Sequence, residues 1–227
     1  NDLFLFFAKY LNAVSLLEKD FKEWYVNTGA DEAQIPVHVP DVASWETVQY
    51  SGNNLSLYPF TKKAIENLYA YMNVHQTPRY ILLEIIKPAI VELITDKSKF
   101  ITYLVKRNKP DLGDAVLKIS AIVNTLKIDN REEYKERAIA LISFWGNGEL
   151  KKVGNKIAGI SKDIFIEFGF SELWNSLINT IDEGVEGVEH IDSPEAVNVP
   201  DKPVVVQTNK AFEKFKSMLD NWYYKKA

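Results

Sequence analysis

The chain has 227 residues, 46% of them hydrophobic and 26% charged, with a formal net charge of −4 and a pI of about 5.5. This fits a globular protein of one large domain or two small ones, without the strong basic excess of a protein that coats duplex nucleic acid; a local basic patch is still compatible. Absence of cysteine excludes disulfides and thiolate metal sites and suits a cytoplasmic location, while no apolar run reaches the ~20 residues needed to cross a bilayer, so no membrane partner is expected.

The first residues, Asn1-Asp2-Leu3-Phe4-Leu5-Phe6-Phe7, lack a basic leader region and a cleavage site, so they do not read as a signal peptide. Five of the seven are apolar, and there is no initiator Met. The expectation is a fragment of a longer protein whose missing part precedes Asn1. Residues 3–26 read as one helix, because Phe7, Leu11, Val14, Leu17, Phe21 and Trp24 recur every three or four positions. Asn27-Thr28-Gly29 stops it. Residues 30–54 read as irregular, with short strands at 35–39 and 47–50.

Thr61 predicts the start of a helix over 61–72, with Ala64, Ile65, Leu68 and Met72 inward. Thr77 and Pro78 predict a second helix start, with a helix over 78–94 that Pro88 should kink or split. A linker near Asn108-Lys109-Pro110 precedes two further helices. One spans 113–126, with Val116, Ile119, Val123 and Leu126 inward. The other spans 131–145, with Tyr134, Ala138, Leu141, Ile142 and Trp145 inward. Gly146-Asn147-Gly148 reads as a turn. Residues 151–170 are ambiguous between forms, with Ser161 able to cap a short helix ending at Gly169. Residues 171–182 read as a helix. Residues 184–203, rich in Gly, Pro and acids, read as a linker, 204–206 as a short strand, and 209–224 as a helix with Phe212, Phe215, Leu219 and Trp222 on one face.

The sharpest chemical feature is Arg79. A helix N-terminus carries partial positive charge and disfavours a cation. An arginine in that first turn therefore points to an anion nearby, and a nucleotide phosphate matches the guanidinium fork. From spacing alone, an exposed or salt-bridged arginine is the simpler account.

The segment LSLYPFTKKAIENLYAYMNVHQTPRYILLEII resembles the C-terminal lid of AAA+ P-loop ATPases, in particular origin-recognition-like and related bacterial ATPases. The likeness covers about residues 55–94. It rests on the Pro-Phe-Thr helix start and on the Thr-Pro-Arg turn that opens the next helix. It implies that Arg79 is the sensor-2 arginine, which contacts the nucleotide's phosphates. The rest of that family's catalytic apparatus is missing from this sequence. The stretch from Gly148 to Lys156 has the wrong spacing for a phosphate loop and lacks Gly-Lys-Ser/Thr, and no apolar strand ends in Asp-Glu. The chain alone is therefore not expected to hydrolyse ATP. The resemblance implies that ATP and magnesium belong to the full-length protein, with a missing ATPase core or a neighbouring subunit as partner, in an assembly that includes the homo-oligomer among its options.

In such ATPases a winged helix often follows the lid and grips DNA. Residues 138–170 are compatible with that, with Lys151, Lys152, Lys156 and Lys162 as candidate phosphate contacts. The alternative is a helical packing unit with solvated lysines, since Glu149, Asp163 and Glu167 lie among them. The strings SFWGNGE and FIEFGF are loosely similar to large bacterial phage-defence ATPases.

Other constellations are weaker. His38, His75 and His190 are far apart and form no ligand pair. Glu84 reads as an acid in a cleft or, more simply, a solvated one. The pairs Asp31/Glu32 and Glu132/Glu133 read as loop and helix-start charges. No Gly-x-Ser-x-Gly elbow occurs. Trp222-Tyr223-Tyr224-Lys225-Lys226 could stack on nucleic acid, cover a partner, or pack on its own domain.

The expectation is thus a mainly α protein. A helical lid-like subdomain spans 1–108, and a helical, winged-helix-like subdomain spans 109–227 with its linker at 184–203. Its expected role is that of the C-terminal regulatory part of a AAA+-type ATPase in DNA transactions or phage defence. A helical protein–protein interaction module and a stand-alone helical DNA-binding protein are the alternatives.

Overall fold

A computed structural model of the chain describes residues 2–42, 44–72, 76–108, 113–126 and 131–182. The protein is mainly α. Helix α1 (Asp2–Ser15) buries Phe6, Phe7, Ala8 and Leu11. Helix α2 (Glu18–Thr28) begins after an extended Leu17 and ends on Gly29 in the left-handed conformation. Residues 3–26 are thus two helices rather than one, and the break divides the apolar stripe. The half in α1 enters the core, while α2 buries no residue.

The strand expected at 35–39 is extended chain without a strand partner among the described residues. Asn12 takes the role of one: its side chain donates to the Pro36 carbonyl (2.9 Å) and accepts from the His38 N–H (2.7 Å). A side chain thus meets backbone groups that a ladder would otherwise pair. The strand expected at 47–50 is present as β1 (Thr47–Tyr50), paired antiparallel with β2 (Asn53–Ser56) through a Ser51-Gly52 turn in which both residues have positive φ.

Helix α3 (Lys62–Tyr71) starts as expected, with the Thr61 hydroxyl accepting from the Ala64 N–H at 3.1 Å. Ala64, Ile65, Leu68 and Met72 are all buried. Thr77 likewise accepts from Tyr80 N–H (3.3 Å) to open α4 (Pro78–Tyr80). A π-helical segment (Ile81–Ile86) and α5 (Lys87–Thr95) continue the same rod. Pro88 therefore does not split the helix. Lys87 N–H bonds five residues back, to the Leu82 carbonyl, so the wider turn lies immediately before the residue that cannot donate.

Helix α6 (Lys97–Asn108) was absent from the sequence expectation and buries Phe100, Ile101 and Leu104. Helices α7 (Gly113–Thr125) and α8 (Glu132–Ala140) match it, with Ile119, Val123, Leu126, Tyr134 and Ala138 buried. Helix α8 widens into a second π-helical segment (Leu141–Trp145) whose five residues are all buried. The Gly146 turn leads to an antiparallel meander of two-residue strands, β3 (Lys152–Val153), β4 (Lys156–Ile157) and β5 (Ile160–Ser161). Short helix α9 (Lys162–Glu167) follows Ser161 directly and precedes Gly169, and α10 (Ser171–Asp182) completes the described chain. The expected linker at 184–203, the strand at 204–206 and the helix at 209–224 lie outside the described residues.

One hydrophobic cluster runs from Phe6 to Leu177, so packing is continuous on both sides of residue 108. Trp145, fully buried, is central to it. Its ring packs against Phe60 (5.7 Å), Phe100 (5.1 Å) and Phe168 (6.0 Å), and its indole N–H donates to the Ile101 carbonyl (3.2 Å). The aromatic contacts give directional packing beyond area burial, and the indole donor is satisfied as a buried one must be.

Candidate functional site

Arg79 sits in the first turn of α4, exposed, and no described residue offers it a hydrogen bond or ion pair. Other arginines are engaged. Arg107 pairs with Glu84 and donates to the Tyr103 hydroxyl (3.1 Å), and Arg137 donates to the Phe168 carbonyl (2.9 Å). Glu84 is therefore neither a free cleft acid nor simply solvated; it holds α6 to the rod.

The rod from 78 to 95 presents one exposed side. Arg79, Leu83, Lys87, Val91 and Ile94 recur every three or four residues along it, and all are exposed. Leu83, Val91 and Ile94 are 46%, 55% and 79% exposed, too much for residues that serve the core. Two cations and three apolar side chains thus share one ridge.

The four lysines do not form a single face. All are exposed. Cross-strand partners share a face, and successive residues alternate. Lys152 pairs with Ile157, whereas Lys156 pairs with Val153 and Ser161, so Lys152 and Lys156 point to opposite sides of the meander. Lys151 precedes β3 and Lys162 opens α9. Two of the neighbouring acids are already engaged: Asp163 accepts from the Ser44 hydroxyl, and Glu167 from Tyr58 and Lys97.

That Glu167 cluster has no counterpart in the sequence reading. Tyr58 donates to Glu167 Oε1 at 2.9 Å, and Lys97 Nζ lies 2.5 Å from the same oxygen. Burial, then the hydrogen bond to Glu167 and the charges of Glu167 and Asp41, push the Tyr58 phenol well above its ordinary range. Tyr58 thus stays a protonated donor. The three groups line a cleft of about 260 Å³ with His38, Pro40, Asp41 and Val42. Arg79 and the four lysines are not part of it. Chemically the cluster ties the β2–α3 connection, α6 and α9 together. Its members are 70 and 109 positions apart in sequence, beyond any spacing rule.

His38 lines this cleft; His75 and His190 lie outside the described residues. Asp31 accepts from Ala33 N–H (3.0 Å), Glu32 reaches Lys9 (4.0 Å), and Glu132 and Glu133 occupy the first turn of α8. Among the described residues no group of three or more His, Asp or Glu is arranged to hold a metal ion, and no helix is long and apolar enough to cross a membrane. Trp222 through Lys226 lie outside the described residues. No family model matches the chain, and no curated protein or solved structure is significantly similar to it.

Proposed function

We propose that this chain is the helical regulatory portion of a AAA+-type ATPase acting in DNA transactions or phage defence, and that Arg79 reaches a nucleotide phosphate in a site completed elsewhere. The carrying observation is that Arg79 is exposed and unpaired among the described residues, at a helix start that disfavours a cation, while Arg107 and Arg137 are engaged. A guanidinium left free at that cost is available to an anion. ATP and magnesium would be held by the ATPase core, in the cytoplasm, and the chain would act with that core or with a neighbouring subunit, a homo-oligomer included.

The test is ATP turnover by the core and this chain together, with Arg79→Ala compared against the unchanged protein. Loss of one charge-assisted hydrogen bond in the transition state lowers turnover by about tenfold to a hundredfold. Circular dichroism should be unchanged, since Arg79 holds nothing in the fold. Equal turnover removes Arg79 from the mechanism.

A second reading, a helical interaction module with no nucleotide role, is favoured by Leu83, Val91 and Ile94 on the same ridge. Under it, Ile94→Asp releases the partner while Arg79→Ala leaves turnover alone. The stand-alone DNA-binding reading draws least support, because the meander register divides its lysines between two faces. Salt-dependent duplex binding weakened by substituting Lys151 and Lys152 would restore it.

A further inference from the structure

Helix α2 is amphipathic yet buries nothing. Leu17 and Tyr25 are 70% and 68% exposed. Phe21 and Trp24, half-buried and edge-to-face at 6.0 Å, pack on each other and not on the core cluster. Leu17, Phe21, Trp24 and Tyr25 fall within one face at helical spacing. The helix has only eleven residues. A helix that short is marginal in water on its own, and two (i, i+4) pairs, Lys19–Glu23 and Lys22–Glu18, contribute only a few tenths of a kcal/mol each. Such a helix needs something over its apolar face.

We propose that residues 209–224 of this same chain dock as an amphipathic helix on the face of α2 formed by Leu17, Phe21, Trp24 and Tyr25. Three observations favour this occupant. The first is pattern: Phe212, Phe215, Leu219 and Trp222 recur at helical spacing and supply an aromatic stripe of matching kind. The second is charge. Residues 14–34 carry five carboxylates against two lysines, whereas residues 209–227 carry five lysines against two carboxylates. The same basic segment would be repelled by the Arg79–Lys87 ridge, so charge selects between the two exposed apolar faces. The third is reach. The chain between Asp182 and Asn209 extends at about 3.3–3.6 Å per residue, ample to reach any part of a domain this size.

The absence of cysteine provides a direct test in the full-length chain. The double variant Leu17→Cys with Leu219→Cys is oxidised mildly at low protein concentration. The expected product is an intramolecular disulfide that runs as a faster-migrating monomer. A predominantly intermolecular disulfide would show a second copy on α2 and overturn the proposal, as would free thiols. Leu17 is exposed, so the substitution does not disturb the core. In parallel, hydrogen exchange on the intact chain should show residues 212–222 protected by about tenfold or more, with protection lost in Leu17→Asp combined with Phe21→Asp. Protection that survives the double substitution places the segment elsewhere and also overturns the proposal.

Discussion

The hydroxyl of Thr61 donates to the main-chain carbonyl of Trp145 at 2.5 Å, 84 positions away, while accepting the Ala64 N–H at 3.1 Å. One oxygen therefore starts α3 and satisfies the carbonyl at the end of the buried π-helical segment. The bond joins a helix on one side of residue 108 to one on the other.

Thr61→Val keeps the shape and removes both bonds. Loss of the cap and of a partner for a buried carbonyl predicts a destabilisation of about 1–3 kcal/mol. Thr61→Ser should recover most of it, because it restores the hydroxyl. Denaturant unfolding of the three proteins measures this; a Val variant as stable as the Ser variant would show that neither bond contributes.

Gly146 follows that segment, and its constraint is space. A Cβ there would lie 2.6 Å from the Ile142 carbonyl oxygen and 2.7 Å from that of Ala158, with Ile160 Cδ1 at 2.9 Å. The two oxygens belong to the π-helical segment and to the β4–β5 turn, neither of which can swing aside as a side chain does. Gly146→Ala should cost about 3 kcal/mol. Gly52→Ala, at φ +83° but in open space, should cost only about 1–2 kcal/mol. Thermal unfolding of the pair separates crowding from backbone strain, and the reverse ranking would refute the crowding argument.

What the sequence made legible follows from distance along the chain. The Thr61 and Thr77 caps were readable because their partners lie three residues on; the Thr61–Trp145 bond was not, because nothing in either neighbourhood signals the other. The stripe from Phe7 to Trp24 announced helix, but periodicity cannot say which half of a stripe finds a core. The strand expected at 35–39 failed because Asn12, a side chain on α1, supplied its hydrogen bonds. Helix α6 was missed although Asp96-Lys97-Ser98 carried a capping signal, since its lysines and arginine dilute the apolar pattern around Phe100, Ile101 and Leu104. At the candidate site, the type and helix-start position of Arg79 were legible, but its exposure and the ridge it shares with Leu83 and Val91 were not. The Tyr58–Glu167–Lys97 cluster was invisible for the same reason as the Trp145 bond.

Tyr58 should govern part of the alkaline response. Its folded-state pKa is raised above the unfolded value, first by burial and then by Glu167. A raised value means that its contribution to stability is fully present below the unfolded phenol pKa of about 10 and is lost as pH rises beyond it. Tyr58→Phe removes that proton. The wild type should therefore lose stability more steeply above about pH 10 than the Phe variant does, when denaturation midpoints are compared across that range. Parallel curves would mean that the phenol is as free to ionise in the fold as in the unfolded chain.

Asp96 predicts the opposite limb. It precedes α6, and its carboxylate accepts from the Ser98 N–H (3.0 Å) and hydroxyl (2.6 Å) and meets Lys99 Nζ (2.9 Å). These partners, Ser98 first and Lys99 second, hold its pKa down to about 2. A depressed folded-state value means that the stabilisation is present above the unfolded pKa of about 3.9 and is lost as pH falls through about 2. Asp96→Asn keeps an N-cap acceptor but cannot ionise. The wild type should be the more stable at neutral pH, and its advantage should shrink between about pH 4 and pH 2. Urea unfolding at several pH values in that window measures the closing gap. A gap that stays constant would assign the advantage to cap geometry alone, and a gap that widens on acidification would reverse the sign of the linkage.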